Sequence, residues 1–373
     1  MNRNIILAML SRIILGAGVV LLLPMLLSLY YGGPVLSFLL PAALSFLLYL
    51  IFRKKGISPN DSLTPREGTA ITALTWLSVS LIYAIPYALS GALSPLDGLV
   101  ESISGLTGTG ATVMDDLTIL PPSILFFRAM THWLGGLGII VIFVALFPQA
   151  GRGTTKMVNA ESTGPTSSKP LPRIKETAMA LFAVYFCFTA AAAAAYMLWG
   201  MGFLEALDHA FSTIATGGFS TRNESIAYYH SASLEMIITF FMVISSANFG
   251  IYVDAWKRGL HVIWKDTEFR VYLALVAGAV LLLTTSLVLQ GHMPLLESLR
   301  EAIFHSASLS STTGFVAADF DQWPSFAKFI ILLLIIVGGC GGSTAGGLKV
   351  IRLILLFKCF SAKYGCTPKV YRK

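Results

Sequence analysis

The chain has 373 residues, of which 55% are apolar and only 12% charged. Soluble globular domains carry about 25% charged residues, so the composition excludes that class. The net charge of +7 falls in the connections between apolar runs and has none of the soluble aromatic or helical context of a nucleic-acid surface, so no nucleic-acid partner is expected.

In chain order, apolar runs of spanning length lie at about 5–30, 34–52, 69–92, 122–148, 177–200, 232–256, 269–290 and 324–358. A helix crossing a bilayer needs about 20 such residues. Backbone inside lipid must satisfy its own hydrogen bonds, and runs this long favour helices over a barrel. The fold class expected is an all-α integral membrane protein. The first run carries Arg12 and no clear small-residue cleavage site, so it reads as a span and not as a cleaved leader.

Basic residues cluster at Arg53–Lys55, in Arg152–Lys175, at Lys257, Arg258 and Lys265, and in Lys349–Lys373. Basic connections stay in the cytoplasm, which puts both termini inside and the alternate connections outside. The outer connections hold Asp115, Asp116, Glu224, Asp319 and Asp321. The four cysteines, Cys187, Cys340, Cys359 and Cys366, lack zinc spacing and are expected to be reduced.

The outer segments carry an internal repeat. Asp97–Thr112, Glu205–Ser220 and Glu301–Val316 align on Gly110, Gly218 and Gly314. Thirteen residues upstream stands an acid (Asp97, Glu205, Glu301), and nine upstream a polar residue (Glu101, His209, His305). A recurring unit of this kind sets the architecture. Residues 1–68 are two leading transmembrane helices and a cytoplasmic loop. Three units of helix, re-entrant pore loop and helix follow at 69–150, 176–267 and 268–360. A solvated linker, Gly151–Lys175, joins the first two, and 361–373 is a basic cytoplasmic tail.

Each repeat offers a helix too short to span, then a Gly/Thr loop. The negative end of the helix dipole favours a cation there. Glycine allows backbone angles that turn carbonyl oxygens inward, where they can replace an ion's hydration shell. The candidate selectivity-filter residues are Thr109, Gly110, Thr216, Gly217, Gly218, Thr312, Thr313 and Gly314. Uncharged oxygen ligation suits a monovalent alkali cation, whereas a divalent site would draw carboxylates. Small residues also serve tight helix packing, but three copies on one side favour the filter.

The last run is interrupted in mid-membrane by Gly338, Gly339, Gly341, Gly342, Ser343, Thr344, Gly346 and Gly347 around Cys340 and Ala345, and resumes at Leu348. Glycine costs about 1 kcal/mol each in a helix interior, so an unwound segment lining a cavity is expected, read as a flexible gate. The partial likeness of Gly342–Lys349 to a phosphate loop fails, because Leu348 separates Gly347 from Lys349. Arg128, His132 and Asn248 are further intramembrane polar candidates. Arg128 is expected either to pair with an acid of the first short helix or to snorkel outward; Asn248 either lines the path or bridges helices. Lys349 and Arg352 read as anchors of the inner boundary.

The segments LTGTGATV (Leu106–Val113), HWLGGLG (His132–Gly138), TIATGGFST (Thr213–Thr221), TTGF (Thr312–Phe315) and GGCGGSTAGGLK (Gly338–Lys349) resemble the Trk/Ktr/HKT superfamily of potassium transporters, most nearly its bacterial TrkH-type uptake subunits. The resemblance implies four span–loop–span units around one ion path. It implies potassium held at Gly110, Gly218 and Gly314, and a gate at Gly338–Gly347. It also implies a homodimer in the plasma membrane and a cytoplasmic nucleotide-binding regulatory subunit. Potassium is the substrate, and no cofactor is expected in the chain. This sequence carries three of the four units. Either a second polypeptide would complete the ring, or the chain is a truncated, non-conducting form. Two other classes stand against uptake of potassium, by simple conduction or by symport. A secondary transporter of another small solute predicts inverted repeats and midplane charge. An enzyme needs a positioned nucleophile, base or metal set, and the sequence offers none.

Overall fold

The computed structural model describes residues 3–53, 64–136, 138, 171–290 and 293–363. Most of the expected linker, the second half of the 122–148 run, most of the Arg53–Gly68 loop and nearly all of the basic tail with Cys366 lie outside the described residues. Within them the chain is helical. The leading segment comprises α1 (Arg3–Val20), α2 (Leu22–Tyr31) and α3 (Val35–Phe52). It is followed by α4 (Pro65–Leu89), α5 (Pro95–Thr107) and α6 (Pro122–Gly136). Next come α7 (Leu171–Leu198), α8 (Phe203–Ile214), α9 (Ala232–Ser245), α10 (Phe249–Arg258) and α11 (His261–Lys265). The last group is α12 (Thr267–Leu289), α13 (Leu295–Ser310), α14 (Ser325–Ile336) and α15 (Val350–Lys363).

Local signals fix the helix starts. Thr64 and Glu67 form a reciprocal capping box on α4, with Pro65 in its first turn. Ser94 caps α5 ahead of Pro95, and its hydroxyl also meets Asp97 at 2.6 Å. Asp97, the repeat's first acid, thus serves a helix start. Five described stretches are long and apolar enough to span: Arg3–Tyr31, Val35–Phe52, Arg66–Leu89, Glu176–Leu198 and Thr267–Leu289. Helix α3 shows the solvent they are built for. It buries Ser37, Phe38, Pro41 and Ser45 while exposing Leu36, Leu39, Leu40, Leu44, Phe46 and Leu47. Apart from Phe38, the residues facing the protein are small, and large apolar ones face outward, as lipid demands. Gly18 of α1 meets α3 so closely that a β-carbon there would overlap Ser45.

The leading helices join the first repeat through an aromatic cluster. Phe127 of α6 lies 5.6, 5.3 and 5.2 Å from Phe38, Tyr83 and Tyr87, ring centre to ring centre. Each short helix is wedged among its neighbours: α5 against α4 and α6, α8 against α6 and α7, α13 against α9, α12 and α14.

Three expectations need correction. The 232–256 run is not one straight span: α9 and α10 meet at 88°. Ser245 and Ser246 hydroxyls donate back to the Phe241 and Met242 carbonyls at 2.8 and 2.9 Å, which competes with the helix. Asn248 then starts α10 by accepting from the Gly250 amide at 2.8 Å. The interruption of the last run is wider than its glycines, from Val337 to Lys349. Finally, α7 begins at Leu171, so residues 171–175 belong to a helix and not to the linker.

Candidate ion pathway

The loops after α5, α8 and α13 share one backbone conformation. Gly110, Gly218 and Gly314 have φ of 76°, 84° and 79°. Two residues earlier stand Gly108, Thr216 and Thr312, with φ of 68°, 54° and 57°. A β-branched residue in the left-handed region is an outlier, and strain of this kind persists only where surroundings over-determine it. In each loop the amide just before the aligned glycine returns to the short helix: Thr109 to Ser104 O at 3.0 Å, Gly217 to Ser212 O at 2.9 Å, Thr313 to Ser308 O at 2.9 Å. The Ser104 and Ser308 hydroxyls donate to Ala111 O and Phe315 O at 2.5 and 2.7 Å. These serines stand six residues before the aligned glycine in every copy. The serine carbonyl accepts the loop amide in all three copies, and the hydroxyl brace is made in the first and third.

The loops touch one another through backbone. A β-carbon on Gly110 would lie 3.4 Å from the Gly217 carbonyl carbon and closer still to its oxygen. One on Gly218 would lie 3.1 Å from the Thr313 carbonyl carbon, with the oxygen again nearer. The second loop therefore sits between the first and third. Its residues Thr216 and Gly217 are buried, whereas Thr109 and Gly314 are exposed at the two ends of the series. Gly217 also lies flat against the His132 ring, which stacks on Phe219 at 3.8 Å. Threonine hydroxyls brace these turns: Thr109 meets Thr107 at 2.7 Å, Thr216 donates to Ala215 O at 2.7 Å, and Thr313 meets Ser311 at 2.7 Å.

The acids and polar residues of the repeat serve structure. Glu205 pairs with Arg222 at 2.5 Å, and Glu301 lies 3.1 Å from Arg300. Glu101 is fully buried and pairs with Arg128 at 2.5 Å, the first of the two outcomes expected from the sequence. His209 Nε2 lies 3.0 Å from Ser220 Oγ. Beyond the loops, Asp115, Asp116, Glu224, Asp319 and Asp321 are exposed. Asp116 accepts from the Thr118 hydroxyl and amide at 2.6 and 2.8 Å; these bonds hold its carboxyl below the usual carboxylate range.

The glycine-rich break folds back on itself into a tight hairpin-like loop whose ends pair as a parallel bridge at Val337 and Leu348. The Gly338 amide donates to Leu348 O at 3.1 Å and the Leu348 amide to Ile336 O at 3.0 Å. Its two limbs cross at Gly338 and Gly347, where a β-carbon on Gly338 would sit 3.0 Å from the Gly347 α-carbon. The hairpin is tied on four sides. Gly346 donates its amide to Thr312 Oγ1 of the third loop at 2.6 Å. Thr344 donates to Ile214 O, at the end of α8, at 3.0 Å. Cys340 donates to Ser246 O at 2.8 Å, and the Phe249 amide to Gly342 O at 3.1 Å. The Glu268 carboxylate of α12 accepts from both the Gly341 and Ile351 amides, at 2.7 and 2.9 Å. Asn248 thus stands at the joint between α9, α10 and the hairpin.

A cavity of about 680 Å³ opens between this hairpin and the ends of α5 and α6; Leu106, Thr107, Gly135, Gly136, Asn248, Gly342–Gly347, Lys349 and Arg352 line it. Lys349 is not a boundary anchor. It is buried, and its ammonium donates to the Ala345 carbonyl inside the hairpin. Neither Glu268 nor this burial was anticipated, because both depend on contacts across some 70 residues or on the hairpin's own closure.

Residues 42–371 match the TrkH family of cation transport proteins. The chain is 44% identical over 300 residues to a Trk system potassium uptake protein TrkH of Halomonas elongata, covering 79% of this chain and 62% of that protein. It is 40% identical over 329 residues to the TrkH of Escherichia coli K12, covering 86% and 67%. The crystal structure of the potassium transporter TrkH from Vibrio parahaemolyticus superposes with a TM-score of 0.87 at 31% identity, over 100% of this chain and 79% of that one. The chain thus spans about two thirds of the length of these curated relatives.

Proposed function

Because the chain belongs to the TrkH family of cation transport proteins, we propose that it forms wall, filter and gate of a pathway for potassium uptake across the plasma membrane. The observation that carries the reading is the shared backbone of the three loops. Left-handed residues recur at matching positions, and the loops adjoin backbone to backbone at Gly110 and at Gly218. Such turns offer carbonyl and hydroxyl oxygens without a carboxylate, which suits a monovalent cation. The ion ligands under this reading are Thr109, Gly110, Thr216, Gly217, Gly218, Thr312, Thr313 and Gly314, supplied by pore units 69–150, 176–267 and 268–360.

The hairpin from Gly338 to Gly347 is the gate. Its bonds to Thr312 of the third loop and to Ile214 at the end of α8 support this reading, in which its movement opens or closes the cavity beside it. Inward flow of a cation is driven by the membrane potential, worth about 2.3 kcal/mol per charge per 100 mV. The exposed outer acids raise the local cation concentration. Both termini face the cytoplasm, as the basic connections favour. The protein works as a homodimer with a cytoplasmic nucleotide-binding regulatory subunit.

The test is uptake of rubidium in cells lacking their own potassium systems, for the protein and for Gly218→Ser. Uptake that prefers rubidium to sodium, with the preference weakened by Gly218→Ser, supports the reading. No uptake favours a non-conducting form. Unchanged preference in Gly218→Ser removes the second loop from the filter.

A further inference from the structure

We propose that the buried Glu101–Arg128 pair is a positioning clamp that sets ion discrimination by fixing the outer ends of the first and second glycine loops against each other. The inference rests on reading those loops as the filter. Glu101 lies at the middle of α5 and Arg128 on α6, and their side chains are 0% and 3% exposed. Removing two charges from water is expensive, and apolar residues of similar size often hold a protein together equally well. What an apolar pair could not do is what these two groups do with their remaining valences.

Glu101 Oε1 accepts from the Thr112 hydroxyl and Oε2 from the Val113 amide, both at 3.1 Å. Those residues stand directly downstream of Gly110. Arg128 donates through Nε to Glu101 and through Nη1 to Ser220 O at 2.9 Å. Ser220 stands two residues beyond Gly218. The guanidinium also lies over the Phe219 ring, 3.6 Å from its centre, a cation–π contact strengthened by burial. One ion pair therefore grips the exits of two different loops.

The seam between the second and third loops is held otherwise. There the Ile226 and Ala227 amides donate to Val316 O at 3.0 and 3.1 Å, and the Val316 amide donates to Ser225 Oγ at 3.2 Å. The first seam has a second tie further out: Asn223 accepts from the Leu117 amide and donates to Asp115 O, both at 3.0 Å. That tie joins the outer connections and not the loop exits, so it serves as the control.

Four variants of the full protein in proteoliposomes test the clamp, read as the ratio of rubidium to sodium influx. Arg128→Lys keeps the charge but cannot span Glu101 and Ser220 together, because a lysine lacks the fork. Glu101→Gln exchanges one carboxylate oxygen for an amide that cannot accept from both Thr112 and Val113. Glu101→Leu with Arg128→Met removes both charges and leaves no lone buried ion. Asn223→Ala loosens only the outer tie. The expected result is a loss of at least tenfold in the ratio, about 1.4 kcal/mol, for the first three, with Asn223→Ala within twofold of the wild type. A purely structural pair would instead lower protein yield and melting temperature while the surviving protein kept its ratio. Should the single variants fail to insert, the charge-free double variant carries the test. A wild-type ratio retained by Arg128→Lys or by the double variant overturns the clamp alone. A wild-type protein without selective uptake overturns the filter reading, and the clamp with it.

Discussion

Substituting alanine at Gly110, Gly218 and Gly314 in turn should produce unequal damage, and the structure gives the order. All three glycines have φ between 76° and 84°, where an L-residue loses roughly 1–2 kcal/mol to its own backbone. At Gly314 that is the whole effect, because nothing among the described residues lies within 4 Å of an added β-carbon. At Gly218 the methyl would overlap the Thr313 carbonyl, whose carbon is 3.1 Å away. That carbonyl cannot step aside freely, since the Gly314 amide of the same peptide plane is held to Ser308 O at 3.1 Å. Overpacking of this sort adds about 1–3 kcal/mol, for a sum of roughly 2–5 kcal/mol. Gly110, whose methyl would meet the Gly217 carbonyl, falls in the same class as Gly218. The assay is competitive influx of rubidium and sodium at matched protein levels. Gly314→Ala should keep most of the rubidium preference, while Gly110→Ala and Gly218→Ala lose it, since each displaces a carbonyl of the neighbouring loop. Equal effects at all three positions, or the worst effect at Gly314, would refute the claim that loop-to-loop contact fixes the filter.

Removing the carboxylate in Glu268→Ala frees the Gly341 and Ile351 amides, each bond to a charged acceptor being worth about 1.5–3 kcal/mol. Basal flux through the protein should rise, and Glu268→Gln, which keeps an acceptor oxygen, should change it less; flux unaltered in Glu268→Ala would remove the carboxylate as a tether of the gate. Asp116 gives a pH expectation. Its folded-state pKa lies below the ordinary value of about 3.9, so the Thr118 bonds are fully present above that value and lost only as pH falls through the depressed one. Its attraction for cations should therefore persist unchanged from pH 7 to pH 5. Asp116→Asn should raise the half-saturating rubidium concentration at low ionic strength, with the difference shrinking in high salt; a variant indistinguishable from wild type at low salt would show that this acid does not serve the mouth.

Spans and loops were legible because lipid and glycine each leave a composition signal. Uninterrupted apolar runs mark the helices, and the aligned Gly110, Gly218 and Gly314 mark turns that only positive φ can make. The glycine density from Gly338 to Gly347 marked the break. What stayed hidden was set by tertiary contact. The run 232–256 looks continuous by hydropathy, yet Ser246 O and the Phe249 amide are bonded to Cys340 and Gly342 of the hairpin, and the helix turns at that joint. Lys349 resembled a boundary lysine because its neighbours in sequence are apolar and basic; its ammonium is instead turned into the hairpin toward Ala345 O. Arg128 was readable as a partner for Glu101, but its second bond, to Ser220 O, belongs to another repeat and has no local signature.

The central claim is that backbone oxygens of three glycine turns surround one dehydrated alkali ion. Rubidium located by its anomalous scattering in crystals of the protein tests it most directly. The account predicts a peak enclosed by the turns at Gly110, Gly218 and Gly314, and its loss in Gly218→Ala. A protein that still selects rubidium over sodium, with rubidium bound only among the outer acids and none between those turns, would contradict it.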